Sequence, residues 1–203
     1  MMGATLRTRR SRALPRGFYA RDTLEVAREL LGMLLVHEAS DGRAAGRIVE
    51  VEAYVGEEDA ACHAAAGLTP RTDPLYGPPG HAYVYFIYGM HWCFNAVTRA
   101  AGLPSAVLVR ALEPVEGLDL MRRRRGERPD RELTSGPGKL AQALAIGPRE
   151  NRADLTRGPL TIRRGDPVAN RDVVWAPRVG IRVAADLPYR AFVSSSPFVS
   201  RSS

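Results

Sequence analysis

The chain has 203 residues, 45% of them hydrophobic, enough to bury one substantial core and within the size of a single domain. No apolar run approaches the roughly 20 residues of a membrane-spanning helix, so no membrane association is expected, and two cysteines, Cys62 and Cys93, are too few for a disulfide framework. The net charge of +7 suggests a nucleic-acid partner, but Arg7, Arg9, Arg10, Arg12 and Arg16 carry five of those seven charges and leave the remainder near +2.

Residues 1–16 form a basic stretch free of acids and are expected to be a flexible arm, with the domain over 17–203. No apolar segment follows Arg9-Arg10, so export is not expected, although the composition is compatible with a short organelle transit peptide. Two reduced thiols point to the cytoplasm. Next, Asp22-Thr23-Leu24-Glu25 has the form of a capping box, and Leu24, Ala27, Leu30, Leu31 and Leu34 recur at helical spacing until Gly32 interrupts. Met33 to His37 and Arg47 to Tyr54 then read as strands joined through Asp41-Gly42.

The second of these strands alternates strictly, placing Val49, Val51 and Ala53 on one face and Glu50, Glu52 and Tyr54 on the other. Gly67 to Gly80, rich in Pro and Gly, is a loop. Ala82 to Tyr88 and Trp92 to Thr98 are apolar runs around Gly89, and a hairpin is the simplest connection. Ser105 to Leu112 is a further strand. Pro114 marks a helix start leading into a cluster of arginines at 122, 123, 124, 125, 128 and 131, which is either a solvated helix end or a phosphate contact. Ser135-Gly136-Pro137 opens another helix, with Leu140, Ala143 and Leu144 inward. Short strands are expected at Leu160 to Arg163, Val179 to Val183 and Ala191 to Ser194. The fold class is α+β: one domain with a largely antiparallel twisted sheet, flanking helices and a protruding hairpin.

Two features carry chemistry. Tyr83-Val84-Tyr85-Phe86-Ile87-Tyr88-Gly89 sets aromatic rings at the end of a strand, where they can stack on nucleobases. Glu52 beside Tyr54 then suggests a pocket that holds a flat substrate and hydrolyses something attached to it. Taken singly, each residue also has a plain structural reading: Glu52 as a solvent-facing strand carboxylate like Glu50, the tyrosines as core, His63 as a structural histidine, Asn95 as a strand-end residue, Arg110 as the partner of a nearby acid. Cys62-His63 and His91-Trp92-Cys93 lack zinc-ligand spacing, and Gly136-Pro137-Gly138-Lys139-Leu140 lacks the upstream glycine and the Ser or Thr of a nucleotide loop, so neither metal nor ATP is expected.

Together, Glu52, Tyr54, His63, the tyrosine-rich strand and Arg110 give a sequence that resembles the alkyladenine (3-methyladenine) DNA glycosylase family. The matching blocks are Arg47 to Tyr54, Tyr83 to Met90, Arg110-Ala111-Leu112-Glu113-Pro114 and Ser135 to Leu140, in order, and the resemblance runs from about Gly17 to Ser200. It implies a cofactor-free enzyme that flips alkylated, and by extension deaminated, purines out of duplex DNA and cleaves the N-glycosidic bond; a metal-free monomer working in the cytoplasm at the nucleoid is expected. Glu52 would take the place of the general base, with Arg110 and the backbone carbonyl of Val179 holding the attacking water. Tyr54 on one side, with His63 and Tyr85 on the other, would sandwich the purine, and Asn95 would crowd the amino group of normal guanine. Tyr88 would wedge into the minor groove, with Met90 and Lys139 as further DNA contacts.

The resemblance departs at Thr69-Pro70-Arg71-Thr72, where the family pattern has Asn in place of Thr72. A non-catalytic minor-groove binder and a nucleosidase acting on free purine nucleosides are the alternatives; Glu52 with Arg110 argues against the first and a protruding Tyr88 against the second. Lys139 is the only lysine, so a strand-nicking Schiff base has just Lys139 or the amino terminus available; Lys139, near a helix start suited to phosphate, is expected to bind DNA, and the enzyme to be monofunctional, leaving an abasic site.

Overall fold

The computed structural model describes residues 11–200. Helix α1 (Arg16–Tyr19) leads to α2 (Thr23–Leu30), which starts where Asp22 Oδ1 accepts from the amides of Leu24 and Glu25 at 2.9 and 3.3 Å. It buries Val26, Ala27 and Leu30 and stops at Gly32, whose φ is +90° and where a Cβ would meet the Asp166 carbonyl oxygen at 2.1 Å.

The strands are β1 (Leu34–Ala39), β2 (Gly42–Val55), β3 (Ala82–Ile87), β4 (His91–Val97), β5 (Ser105–Glu116), β6 (Leu160–Arg163), β7 (Val173–Ala176) and β8 (Arg190–Val193). They form one antiparallel sheet of order β3-β4-β5-β2-β1-β6, with β8 pairing both β2 and β7. Fourteen residues make β2 long enough to serve three neighbours: its first half pairs β1 and Glu50 to Glu52 pair β8, while β5 pairs it from Ala45 to Val55. Register shifts on either side of Glu50 bend it there.

Three helices complete the fold: α3 (Leu118–Arg125), α4 (Asp130–Leu133) and α5 (Pro137–Ala143). The core between them and the sheet includes Leu30, Leu35, Ile48, Phe94, Leu112 and Leu140, all sealed from solvent. Each such side chain contributes about 1.5–3 kcal/mol.

Two expectations are corrected. Pro114 does not start a helix; β5 runs through it to Glu116, because Pro114 faces Gly46 at a break in register, where a missing N–H costs no ladder bond. The helix waits for Gly117, at φ +79°. Residues 179–183 are not a strand but part of an irregular crossing between β7 and β8, held by side chains rather than by a neighbouring strand. In the described part of the expected arm, Leu14 is buried, its amide donates to the Ile162 carbonyl at 2.8 Å, and Arg16 pairs with Asp154 at 2.8 Å. Arg7, Arg9 and Arg10 lie outside the described residues.

Four of the six clustered arginines are engaged internally, Arg128 through the Arg125 carbonyl at 3.2 Å. Arg122 bonds Asp119 and Asp130, Arg124 bonds Asp41 and the Ala143 carbonyl, and Arg125 bonds Gln142. No helix among the described residues is long and apolar enough to cross a membrane.

Candidate active site

The alternation of β2 sends Val49, Val51 and Ala53 into the core and Glu52 and Tyr54 toward the opposite side, as its period requires. Glu52 has no solvent exposure. Its Oε1 accepts from the Val179 amide at 2.7 Å and lies 3.2 Å from Arg110 Nη1; its Oε2 accepts from the Tyr54 hydroxyl at 2.9 Å. Val179 thus reaches Glu52 through its N–H, a contact separate from the water-holding role expected of its carbonyl. Oε1 carries a hydrogen bond and an ion pair and Oε2 a single hydrogen bond, so the less occupied oxygen is Oε2.

Tyr54, Arg110 and Val179 border a cavity of about 390 Å³, shared with His63, Tyr85 and Asn95. That volume suits a small flat ligand. Its aromatic wall is built from a loop and a strand: His63, on the turn His63–Ala66, meets Tyr85 at 4.5 Å between ring centres and 75° between planes. His63 Nδ1 lies 2.8 Å from the Tyr83 hydroxyl. Burial, and then the charge of Arg71, push the His63 imidazole down to about 4, so it is neutral at physiological pH. Burial and then Glu52 push the Tyr54 phenol far up, and burial does the same to Tyr85, so both remain hydrogen-bond donors. Asn95 is buried and donates to the Tyr83 carbonyl at 3.0 Å, which fixes its amide at the cavity wall.

Tyr88 and Met90 stand out at the tip of the hairpin, 77% and 67% exposed. Tyr88 and Gly89 have φ of +54° and +66°, and the Met90 amide bonds the Ile87 carbonyl, so the turn has the handedness that suits a tight hairpin. Tyr88 also borders the cavity, as does Lys139, exposed on α5. The seven residues of α5 follow Gly136, and Gly138 is held close to His91, where a Cβ would lie 2.8 Å from the ring. Thr72, in the loop that departs from the family pattern, is buried; its hydroxyl donates to the Gly67 carbonyl at 2.7 Å and accepts from the Thr69 amide at 2.8 Å. Its neighbour Arg71 sits 5.7 Å from the Tyr85 ring centre.

Several site residues escape a sequence reading. Glu50, read as an exposed carboxylate, is completely buried: it takes Arg110 Nε at 3.2 Å and the Ser200 amide and hydroxyl at 2.7 and 2.9 Å. The same alternation that marks Glu52 put Glu50 on its face, but nothing local revealed that β8 and the C-terminal segment cover it. Arg178 forks onto Asp59 at 2.6 and 2.7 Å, donates to the Ala53 carbonyl at 2.9 Å and stacks on Tyr54 at 4.7 Å. Burial alone would raise the Asp59 carboxyl, but Arg178 and the amides of Val55 and Ala61 outweigh it and hold it below the usual carboxylate range. For Arg110, burial opposes the charge, and Glu52 and Glu50 more than restore it. Among the described residues no group of three or more His, Cys, Asp or Glu side chains could hold a metal ion.

Glu52 does not itself line the cavity; it lies behind Tyr54, Arg110 and Val179, which do. This arrangement, beside a projecting hairpin, agrees with what comparison with known proteins finds. The model of the methylpurine-DNA glycosylase family matches residues 17–197. A protein of Carboxydothermus hydrogenoformans provisionally named 3-methyladenine DNA glycosylase is 53% identical over 189 residues, covering 93% of this chain and 98% of its own. Proteins with the same provisional name from Myxococcus xanthus and Methanoculleus marisnigri are each 52% identical over 191 residues, covering 93% of this chain and 93% and 98% of their own. The match spans every element that builds the cavity, and the chain belongs to the methylpurine-DNA glycosylase family, an enzyme family of hydrolytic DNA glycosylases.

Proposed function

We propose that this protein excises alkylated and deaminated purines from duplex DNA as a monofunctional glycosylase, working as a monomer in the cytoplasm and at the nucleoid, and leaves an abasic site. A base inside a duplex is out of reach, and extruding it costs a few kcal/mol. Tyr88, exposed on a tight turn beside the cavity mouth, is suited to fill the gap left behind and offset part of that cost. The purine would lie on Tyr54, faced by His63 and Tyr85, with the fixed amide of Asn95 against the purine edge.

The observation that carries this reading is Glu52. Two hydrogen bonds and the Arg110 ion pair hold it in place, and its Oε2, with a single donor, keeps a lone pair that can accept a further hydrogen bond. As the N-glycosidic bond breaks, positive charge builds on the deoxyribose, and a preorganised carboxylate stabilises it while taking a proton from water. The base leaves with the bonding electron pair, and water's oxygen bonds to the sugar carbon. Purines alkylated at N3 or N7 already carry the charge that makes them leave. Neutral purines need a proton, and His63, neutral near pH 7, does not supply it.

The test uses a duplex carrying one hypoxanthine, the matching free nucleoside, and alkali to reveal abasic sites. The wild type should break only the duplex, and Glu52→Gln should bind it while losing at least 100-fold in rate. Equal turnover of the nucleoside, or an active Glu52→Gln, refutes the reading. Covalent trapping of wild type by borohydride would refute the monofunctional assignment.

A further inference from the structure

Beside Glu52 lies a second buried carboxylate that the proposed chemistry leaves unused. Glu50, on the same strand, has no solvent exposure, yet it is not an isolated charge. Its Oε1 accepts from Arg110 Nε at 3.2 Å and from the Ser200 hydroxyl at 2.9 Å, and its Oε2 accepts from the Ser200 amide at 2.7 Å. Arg190 Nε lies 3.2 Å from Oε1; the contact is electrostatic, since that N–H has no aligned acceptor. Arg190 is also the residue directly across the β2–β8 ladder from Glu52.

Arg110 therefore straddles two carboxylates. Its Nε is committed to Glu50 while its Nη1 lies 3.2 Å from Glu52, and its Nη2 donates to the Ser200 hydroxyl at 3.3 Å. A guanidinium free to choose would grip one carboxylate through two parallel bonds. Here Glu50 and Ser200 occupy its other edge, so only one nitrogen reaches Glu52, and that nitrogen lies against the oxygen already bonded to Val179. Among the described residues, Tyr54 is then the one hydrogen-bond donor on Oε2.

We infer that Glu50 is a positioning residue: by anchoring Arg110 and sharing its charge, it limits Arg110 to one edge of Glu52 and preserves Glu52 as an acceptor for the water's proton. The inference rests on Glu52 acting as the base. The C-terminal segment belongs to the same device, because Ser200 bonds both Glu50 and Arg110.

Of the described groups around Glu52, only His63 titrates near the acidic end of the assay, and it is unchanged in every variant compared. Tyr54 from its own strand and Tyr85 and Cys93 from the hairpin are pushed up by burial, Cys93 to about 11, so they stay neutral across the working range. His63, across the cavity, titrates near 4. What remains is Arg110, Arg178, Glu50 and Arg190. Removing a nearby negative charge favours the ionised carboxylate, and removing a nearby positive charge disfavours it.

Single-turnover excision from a hypoxanthine duplex is measured from pH 4 to 9. In Glu50→Gln the acidic limb should move to lower pH by about one unit, and the plateau should fall about tenfold as Arg110 loses its anchor. In Arg190→Gln the limb should move the opposite way, by about half a unit. A purely structural role would lower the melting temperature of both variants and move neither limb, and that result overturns the inference. If Glu50→Gln does not fold, Arg190→Gln decides: an upward limb supports the inference and an unmoved one refutes it. Glu52→Gln is run alongside. Full activity there would break the general-base reading itself, whereas an inactive Glu52→Gln with unmoved limbs in the other variants would break only the role of Glu50.

Discussion

Replacing Arg178 with Met should damage stability and catalysis together, because one side chain fixes two groups that touch Glu52. Arg178 is fully buried against Asp59, and it stacks on Tyr54, while the next residue supplies the amide on Glu52 Oε1. Breaking a buried pair from one side costs about 3–5 kcal/mol, since the other charge is left uncompensated. Asp59 keeps the amides of Val55 and Ala61 at 3.0 and 3.1 Å, which places the cost at the lower end, about 3 kcal/mol. With a urea dependence of about 2 kcal/mol/M, the unfolding midpoint should fall by about 1.5 M, and the melting temperature by about 6–12 °C. Loss of the fork frees the segment carrying Val179, and a displacement of about 1 Å at a reacting group costs about 100-fold in rate. Urea melts followed by circular dichroism and single-turnover excision measure both. A midpoint within about 0.3 M of wild type, with an unchanged rate, would refute the argument that this pair holds the site.

Tyr88→Ala should leave the urea midpoint unchanged, because the ring is 77% exposed, while weakening capture of the everted state about tenfold or more; equal excision rates at limiting enzyme would remove its wedge role. His63 is pushed down to about 4 in the folded protein and titrates near 6.5 when unfolded, so the unfolded chain binds the extra proton between those values. Stability should accordingly rise with pH from about 4 to 6.5 and then level off, and His63→Gln should flatten that rise; melts across this window check it. Asp59 has the opposite character: its depressed carboxyl contributes stability above about pH 4 that is lost as pH falls through its folded value, so Asp59→Asn should be less stable than wild type at pH 7, with the difference shrinking in acid. In the core, Leu112→Ala should cost about 3 kcal/mol in urea melts while leaving the pH profile of excision untouched.

Local pattern was sufficient for the elements whose boundaries are set by neighbours in sequence. The N-cap at Asp22, the alternation through Glu52 and Tyr54, the hairpin around Gly89 and the helix after Gly136 each depend on contacts within a few residues, so their signals are printed in the chain. The order of the motif blocks also located Glu52, Tyr54, Tyr85 and Arg110, which the sheet brings together.

Local pattern failed where a residue's state depends on what lies over it. Alternation assigns Glu50 and Glu52 to one face but says nothing of which layer covers that face; Ser200, 150 positions away, decides that Glu50 is buried. Pro114 stays in a strand because of a break in register opposite Gly46, and residues 179–183 leave the sheet because Arg178 is drawn to Asp59, 119 positions earlier. The sequence alone determined which strand bears the acid and which turn bears the projecting ring, since periodicity and turn chemistry are short-range. Only the tertiary structure decided how the charges around that acid are shared, because desolvation and ion pairing depend on through-space distances between residues far apart along the chain.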